Sequence, residues 1–297
     1  MYMITGERIQ ELCDIYLGLP ENFFCNPRIR PQVEKHMNLR SISALWNNPR
    51  TIFCYGHCLP LFVEKLPFLK NPFVLVTHNS DEQITDKYRC IANHPLLLAW
   101  LAQNVLFEHP KLHWIPIGIA NSMWPHGNLS AFEVTVPTIK SKDIYFYFNV
   151  DTNFIERNDC YQKIKHKGLL FASPMPFNEY IKELSIHKYA ICPPGNGVDC
   201  HRIWECFYLR VIPILKRSYF TEQVAKQFRC ILVDRWADLS LETILHEYTV
   251  PPIYSNLSMI YLKDATISHR QILFNDITSP PEGPIPSHPQ EHPSPSP

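Results

Sequence analysis

Residues 189–215 read Tyr189-Ala-Ile-Cys-Pro-Pro-Gly195-Asn-Gly197-Val-Asp199-Cys-His-Arg202-Ile-Trp-Glu205-Cys-Phe-Tyr-Leu-Arg210-Val-Ile-Pro-Ile-Leu215. Two short apolar runs flank a glycine loop and a stretch of helical character, the pattern of a buried strand, a loop, a helix and a second buried strand. Gly195 and Gly197 leave the loop free to adopt positive φ and to approach a ligand closely, and Asp199 stands where a helix N-cap is expected. The first-turn amides and positive dipole end of such a helix make an anion site. Asp199, Arg202 and Glu205 recur every third residue and share one side of the helix, within an arc of about 120°. Ile203, Cys206 and Phe207 fall on another side and are expected to pack on a sheet. One arginine and one carboxylate beside an anion-binding loop suit a sugar nucleotide, with charge for the diphosphate and an acceptor for ribose hydroxyls. An ordinary βαβ turn with a capping aspartate and a surface ion pair has the same spacing.

Pro193-Pro-Gly-Asn-Gly-Val-Asp-Cys-His-Arg-Ile-Trp-Glu205, followed by Val211-Ile-Pro-Ile, resembles the motif of the exostosin-like glycosyltransferases. That motif runs Pro-x-Gly-x-Gly-x-Asp-x-x-Arg-x-x-Glu, then a small residue and Ile-Pro. The resemblance implies an α/β protein of the GT-B type, two Rossmann-like, doubly wound domains facing across a cleft. It also implies a nucleotide-sugar donor, usually a UDP-sugar, and inversion at the transferred sugar. On it, Pro194, Gly195, Asn196, Gly197, Asp199, Arg202 and Glu205 are the expected donor-binding residues, with Glu205 toward the ribose. The chain departs from the motif at Arg210, where the family usually has glycine, which bears on how the helix ends.

Working outward, a series of alternating elements is expected on the C-terminal side. Strands fall at 143–148, 169–172, 189–192, 211–215 and 230–233, with helices at 154–165, 177–184, 199–209 and 219–227. Thr152 or Asn153 would cap the first of these helices. Five strands alternating with helices predict a doubly wound domain with right-handed crossovers. Toward the N-terminus, strands are expected at 51–55 and 73–77 around a helix near 59–66, with strand-like segments at 98–104 and 112–119. Ile9, Leu12, Ile15, Tyr16 and Leu19 form a helical pattern in a region otherwise polar and irregular up to about residue 50.

The expected organisation is an acceptor-side domain over 1–120, a connection over 121–141, a nucleotide-sugar-binding domain over 142–250 and a C-terminal helix within 251–276. Further helices are expected near 240–248 and 254–274. The tail over 277–297 is rich in proline and cannot bury a core, so it is expected to be disordered.

The chain has 297 residues, 45% of them hydrophobic, enough for a sizeable core in two domains. Its formal charge is zero, so nothing favours nucleic acid or an anionic membrane as a partner. The expected partners are a nucleotide sugar and a glycan acceptor. With no run of 18 apolar residues and no charged and apolar N-terminal pattern of a signal peptide, the protein is expected to be soluble and cytoplasmic. In lacking a membrane anchor it resembles the short forms of the family found in large viruses of algae. Ten cysteines without a paired framework read as reduced core thiols. Cys54, His57 and Cys58 make half of a zinc site without a second ligand pair.

Glycosyl transfer with inversion needs a base for the acceptor hydroxyl and positive charge for the departing diphosphate. Asp81 is the favoured base, since it follows a buried strand whose carboxyl end would face the cleft; His78 and Asp199 are its rivals. Arg202 and Arg157 are the expected partners of the diphosphate. His78, Asn79, Glu82, Asn104 and Trp124 are the expected acceptor-side residues, with Gln103, His126 and Asn128 bordering them. Trp124 suits either sugar stacking or a core anchor. Hard divalent cations need clustered oxygen ligands, and the chain contains no Asp-x-Asp. A metal-independent transfer and no cofactor are therefore expected, and the resemblance to the short soluble forms of the family points to xylose as the sugar. The alternative is a catalytically silent nucleotide-sugar or glycan-binding protein of the same fold. A nicotinamide enzyme is disfavoured, because the glycine loop is not Gly-x-Gly-x-x-Gly and follows a late strand.

Overall fold

A computed structural model of the chain describes residues 3–41, 50–134 and 136–259. Ten strands are named in chain order: β1 Ile15–Gly18, β2 His36–Asn38, β3 Arg50–Tyr55, β4 Phe73–His78, β5 Leu97–Ala102, β6 Leu112–Trp114, β7 Lys142–Tyr145, β8 His187–Ile191, β9 Ile212–Lys216 and β10 Ile231–Val233. The helices are α1 Gly6–Glu11, α2 Pro20–Phe24, α3 Leu59–Lys65, α4 Arg89–Ala92, α5 Phe154–Lys165, α6 Phe177–Ser185, α7 His201–Tyr208, α8 Tyr219–Ala225 and α9 Leu241–His246. The strands form two parallel sheets, ordered β2-β1-β3-β4-β5-β6 and β10-β9-β8-β7. The protein is thus a mixed α/β structure with two Rossmann-like parallel sheets.

Parallel strands with both faces covered read as continuous apolar runs. β4, Phe-Val-Leu-Val-Thr-His, is buried along its whole length, and its six residues pair in register with β3 from Arg50↔Phe73 to Tyr55↔His78. In the first sheet the chain lays β2 on one side of β1 and β3 on the other. The connections diverge there, and ligands of open α/β sheets bind at the carboxyl ends of the strands at such a reversal. The second sheet runs β7 to β10 in sequence without a reversal, so the doubly wound order expected of both halves is found only in the first.

Three expectations are corrected. The helical pattern from Ile9 to Leu19 divides: α1 is capped by the Thr5 side chain, which accepts from Arg8 N, and it stops at Glu11. Ile15, Tyr16 and Leu17 then form the buried strand β1 inside the sheet. A short run buried on both faces has no alternation, so periodicity cannot separate it from a helix. Residues 169–172 are not a strand. Ala172 N donates to Phe146 O at 2.9 Å, while Leu170 is 91% exposed and Phe171 packs against the rings of Phe146 and Tyr161. The helix expected at 199–209 begins at His201, with Cys200 rather than Asp199 as its N-cap.

α7 ends in a Schellman arrangement. Arg210 N donates to Phe207 O and Val211 N to Cys206 O, at 3.2 and 2.8 Å. Arg210 itself has φ 53°, the left-handed conformation usually left to glycine. The helix thus closes without a glycine at this position, and the Arg210 side chain is tied down by its Nε donating to Pro251 O at 2.9 Å.

One apolar cluster spans both sheets, and a second, with Tyr189, Ile191, Ile212 and Ile214, lies on the second sheet alone. Trp114, after β5 and at the end of β6, stacks on Trp204 of α7 at 6.2 Å and meets Phe220 of α8 edge-on at 5.9 Å. Ile4 N donates to Tyr208 Oη at 2.8 Å across the same junction. All ten cysteines are free, with Cys192 and Cys206 sulfurs 3.8 Å apart in the core. No helix among the described residues is long and apolar enough to cross a membrane. The Pro-rich tail and the helix expected over 254–274 lie, from residue 260 onward, outside the described residues.

Candidate functional site

Residues following the carboxyl ends of both sheets line two adjoining cavities, of about 680 and about 290 Å³. Asp81, Ile117, Trp124 and His201 line both and so mark where they join. The larger is in the size range of small-ligand pockets and the smaller at its lower edge.

The glycine loop after β8 forms one wall of the larger cavity through Gly195, Asn196 and Gly197. Neither glycine uses positive φ; among the described glycines that belongs to Gly118 and Gly168. Their role is close approach. A Cβ on Gly197 would lie 2.8 Å from the Asn104 amide, and one on Gly195 would lie 3.3 Å from Arg157 Nη2. Pro194 does not line the cavity; its carbonyl accepts from Arg157 Nε at 2.9 Å.

Arg157 also donates through Nη1 to Asn149 O at 2.7 Å and lies over the Phe148 ring, 5.7 Å from its centre. Arg202 donates through Nη1 to Tyr147 O and lies over the rings of Tyr145 and Tyr180, at 5.6 and 5.1 Å. Both guanidiniums line the larger cavity, and neither forms an ion pair within 4.0 Å among the described residues. Carbonyl oxygens and aromatic faces orient them, and the Glu205 carboxyl acts on Arg202 through charge without an ion-pair contact within 4.0 Å. Glu205 is 4% exposed beneath them and accepts from Tyr180 Oη at 2.5 Å. Burial pushes its carboxyl above the usual range, against the pull of Arg202 and Tyr180.

Asp199 is a clasp between the two halves. Its Oδ2 accepts from Ile117 N and its Oδ1 from Trp204 Nε1, both at 2.7 Å, and its own N donates to Asn104 Oδ1 at 3.0 Å. Burial pushes this carboxyl up to about 8, against three N–H groups that draw it down. With both oxygens engaged, Asp199 is positioned to hold the halves together and not to take a proton from a substrate.

Asp81 is exposed where the cavities meet and makes no hydrogen bond or ion pair among the described residues, although its charge acts on His201. His201 donates from Nδ1 to Gly118 O at 2.8 Å, which leaves Nε2 as an acceptor. His78 and Asn79 line the smaller cavity together with Gln103. His78 Nε2 donates to Pro116 O at 3.0 Å, and burial lowers both His78 and His201 to about 4, so both rings are neutral near pH 7.

Glu82 lines a third, more open cavity of about 710 Å³ that shares Asn79, Ser80 and Asp81 with the smaller one, and it accepts from Lys87 Nζ and Tyr88 Oη at 2.7 and 2.8 Å. Two expected acceptor-side or bordering residues lie elsewhere. Asn104 is fully buried and lines none of these cavities, its Nδ2 donating to Ser80 O and its Oδ1 held by Asp199 N. Asn128 caps a short turn by accepting from Ser130 N. Trp124 is half exposed and stacked on His126, with rings 6.2 Å apart, which sets it at the cavities and not in the core.

Sequence reasoning missed the aromatic wall of the larger cavity, formed by Tyr145, Tyr147, Phe148, Phe177 and Tyr180. The signal was present in the run Tyr145-Phe-Tyr-Phe148, which continues past the end of β7 at Tyr145. It also missed His201, which has the same spacing as a helix-surface residue and reaches the site only because β6 and its following loop bring Gly118 against α7. No family model and no curated protein match the chain.

Proposed function

We propose that this chain is an inverting, metal-independent glycosyltransferase of the GT-B type. It transfers a sugar, with xylose the first candidate, from a UDP-sugar to a hydroxyl of a glycan. The observation that carries the reading is the pair of guanidiniums, Arg157 and Arg202, on one cavity wall without a carboxylate partner within 4.0 Å among the described residues. Such a wall suits a diphosphate, and the rings beside it suit a nucleoside. In the proposed reaction Asp81 takes the proton of the acceptor hydroxyl, and the oxygen bonds to the anomeric carbon. The bond from that carbon to the diphosphate breaks on the opposite face, and the electron pair leaves with the diphosphate onto the two arginines.

Asp81→Asn tests the assignment and separates an enzyme from a silent binding protein. Transfer is expected to fall by about 10²–10⁴, the usual contribution of a general base, while UDP-sugar affinity stays as in the wild type. Transfer that is unchanged in Asp81→Asn moves the base elsewhere, and His201 is the next residue to change. Transfer should persist in EDTA; its loss there and recovery with Mn²⁺ would overturn the arginine-based account.

A further inference from the structure

The two cavities share a border but differ in chemistry. The larger carries two guanidiniums; the smaller is lined by no lysine or arginine, and its one carboxylate is Asp81 at the junction. Its polar lining includes five side-chain amides, from Asn22, Asn26, Asn79, Gln103 and Asn121, beside hydroxyl groups and histidine rings. Each amide offers both N–H donors and a carbonyl acceptor, which is what a ring of hydroxyl groups, each both donor and acceptor, requires.

Most of these amides are already engaged within the protein. Asn121 Oδ1 accepts from Glu7 N at 2.9 Å, Asn121 Nδ2 donates to Asn79 Oδ1 at 3.0 Å, and Asn79 Nδ2 donates to Gln10 Oε1 at 3.2 Å. Gln103 is the exception. It is 3% exposed, and both Oε1 and Nε2 are buried without a hydrogen-bond partner. Its backbone is fixed at the carboxyl end of β5 by Gln103 N donating to Thr77 O at 3.0 Å. A buried amide with neither atom paired is rare in folded proteins and calls for a partner from outside the chain. The neutral rings of His78 and His201 add no positive charge to this cavity near pH 7, and the third histidine that lines it, His57, accepts at Nε2 from Asn22 Nδ2 at 3.0 Å.

We propose that the smaller cavity is the acceptor subsite for one uncharged, hydroxyl-rich ring of a glycan, held through the Gln103 amide, and that it discriminates against uronic and other anionic sugars. The word acceptor rests on the transfer reaction proposed above; the preference for a neutral polyol rests on this cavity alone. A ring seated there would carry its reacting hydroxyl toward Asp81, which borders both cavities.

Saturation-transfer NMR on the full chain tests this, with methyl β-xyloside, methyl β-glucoside, methyl β-glucuronide and UDP as probes, on the wild type and Gln103→Met. The neutral glycosides are expected to bind the wild type at least tenfold more tightly than the glucuronide, and to lose at least tenfold in Gln103→Met, with UDP binding unchanged. The variant removes two unpaired polar atoms, so its melting temperature is not expected to fall. Equal neutral-glycoside binding by both proteins, or tighter binding of the glucuronide, overturns the proposal. UDP binding without any glycoside binding also overturns it and leaves the donor reading standing. Gln103-dependent glycoside binding without UDP binding does the reverse. If Gln103→Met does not fold, the side-chain amide resonance of Gln103 in ¹⁵N-labelled wild type serves instead: it shifts on adding the neutral glycosides, and an unmoved resonance overturns the proposal.

Discussion

Arg202→Met is expected to lower glycosyl transfer by about 10²–10³, the cost of removing one preorganised group that stabilises developing negative charge, and to weaken UDP binding. The flexible methionine can fill the space between the rings of Tyr145 and Tyr180, so the variant should remain folded. Arg202→Lys should recover only part of the loss. A lysine keeps the charge, but as a point on a flexible stem it cannot donate to Tyr147 O, cover two rings and still present a fork to a diphosphate. Steady-state transfer rates and UDP affinities of the three proteins check this. Wild-type activity in a folded Arg202→Met would remove this arginine from the chemistry.

Asp199→Ala is expected to destabilise the protein by about 2–6 kcal/mol, because the N–H groups of Ile117 and Trp204 each lose an acceptor in a buried place at about 1–3 kcal/mol apiece. Asp199→Asn should cost less, since the amide keeps one acceptor oxygen and sets an NH₂ against the other N–H. The effect is larger than that of a surface carboxylate because the clasp joins residues 82 positions apart across the two halves. Burial raises the Asp199 carboxyl from its ordinary 3.8 to about 8, so the folded chain binds a proton that the unfolded chain has released. The stability contributed by this group is complete below about pH 4 and is lost as pH rises through 8. Urea midpoints measured across that window should show a downward slope attributable to Asp199 that is absent from Asp199→Asn. An unfolding free energy within about 1 kcal/mol of wild type for Asp199→Ala would show that the clasp contributes little.

How much of this was legible in the sequence depended on how each residue is held. β3, β4, β8 and β9 could be read directly, because each is a short apolar run bounded by polar or glycine residues. The same property hid β1, since Ile15-Tyr-Leu17 follows a true helix turn and is buried on both faces. Phe171 made residues 169–172 look like a strand, but its ring is used to cover Phe146 and not to extend the sheet. At the site, Gly195, Gly197, Arg202 and Glu205 stand out because they are unusual residue types at fixed spacing, and Arg157 because it sits at the start of a helix above the loop. What spacing could not convey was direction. Asn104 and Asp199 face each other across the junction and not a ligand, Glu82 turns to Lys87, and Gln103 borders the smaller cavity. These depend on long-range approach of β5 and α7, which no local pattern encodes.

If the larger cavity holds a nucleotide sugar by its two guanidiniums without a metal, binding survives chelation. Titration calorimetry of the chain with UDP-xylose, UDP-glucose and UDP-glucuronic acid in EDTA tests it most directly. Binding is expected at one site per chain for at least one of them, weakened by salt as a charge-dominated contact should be and abolished in Arg157→Met/Arg202→Met. No binding heat and no rise in melting temperature with any nucleotide sugar, in a protein that is folded, would contradict it.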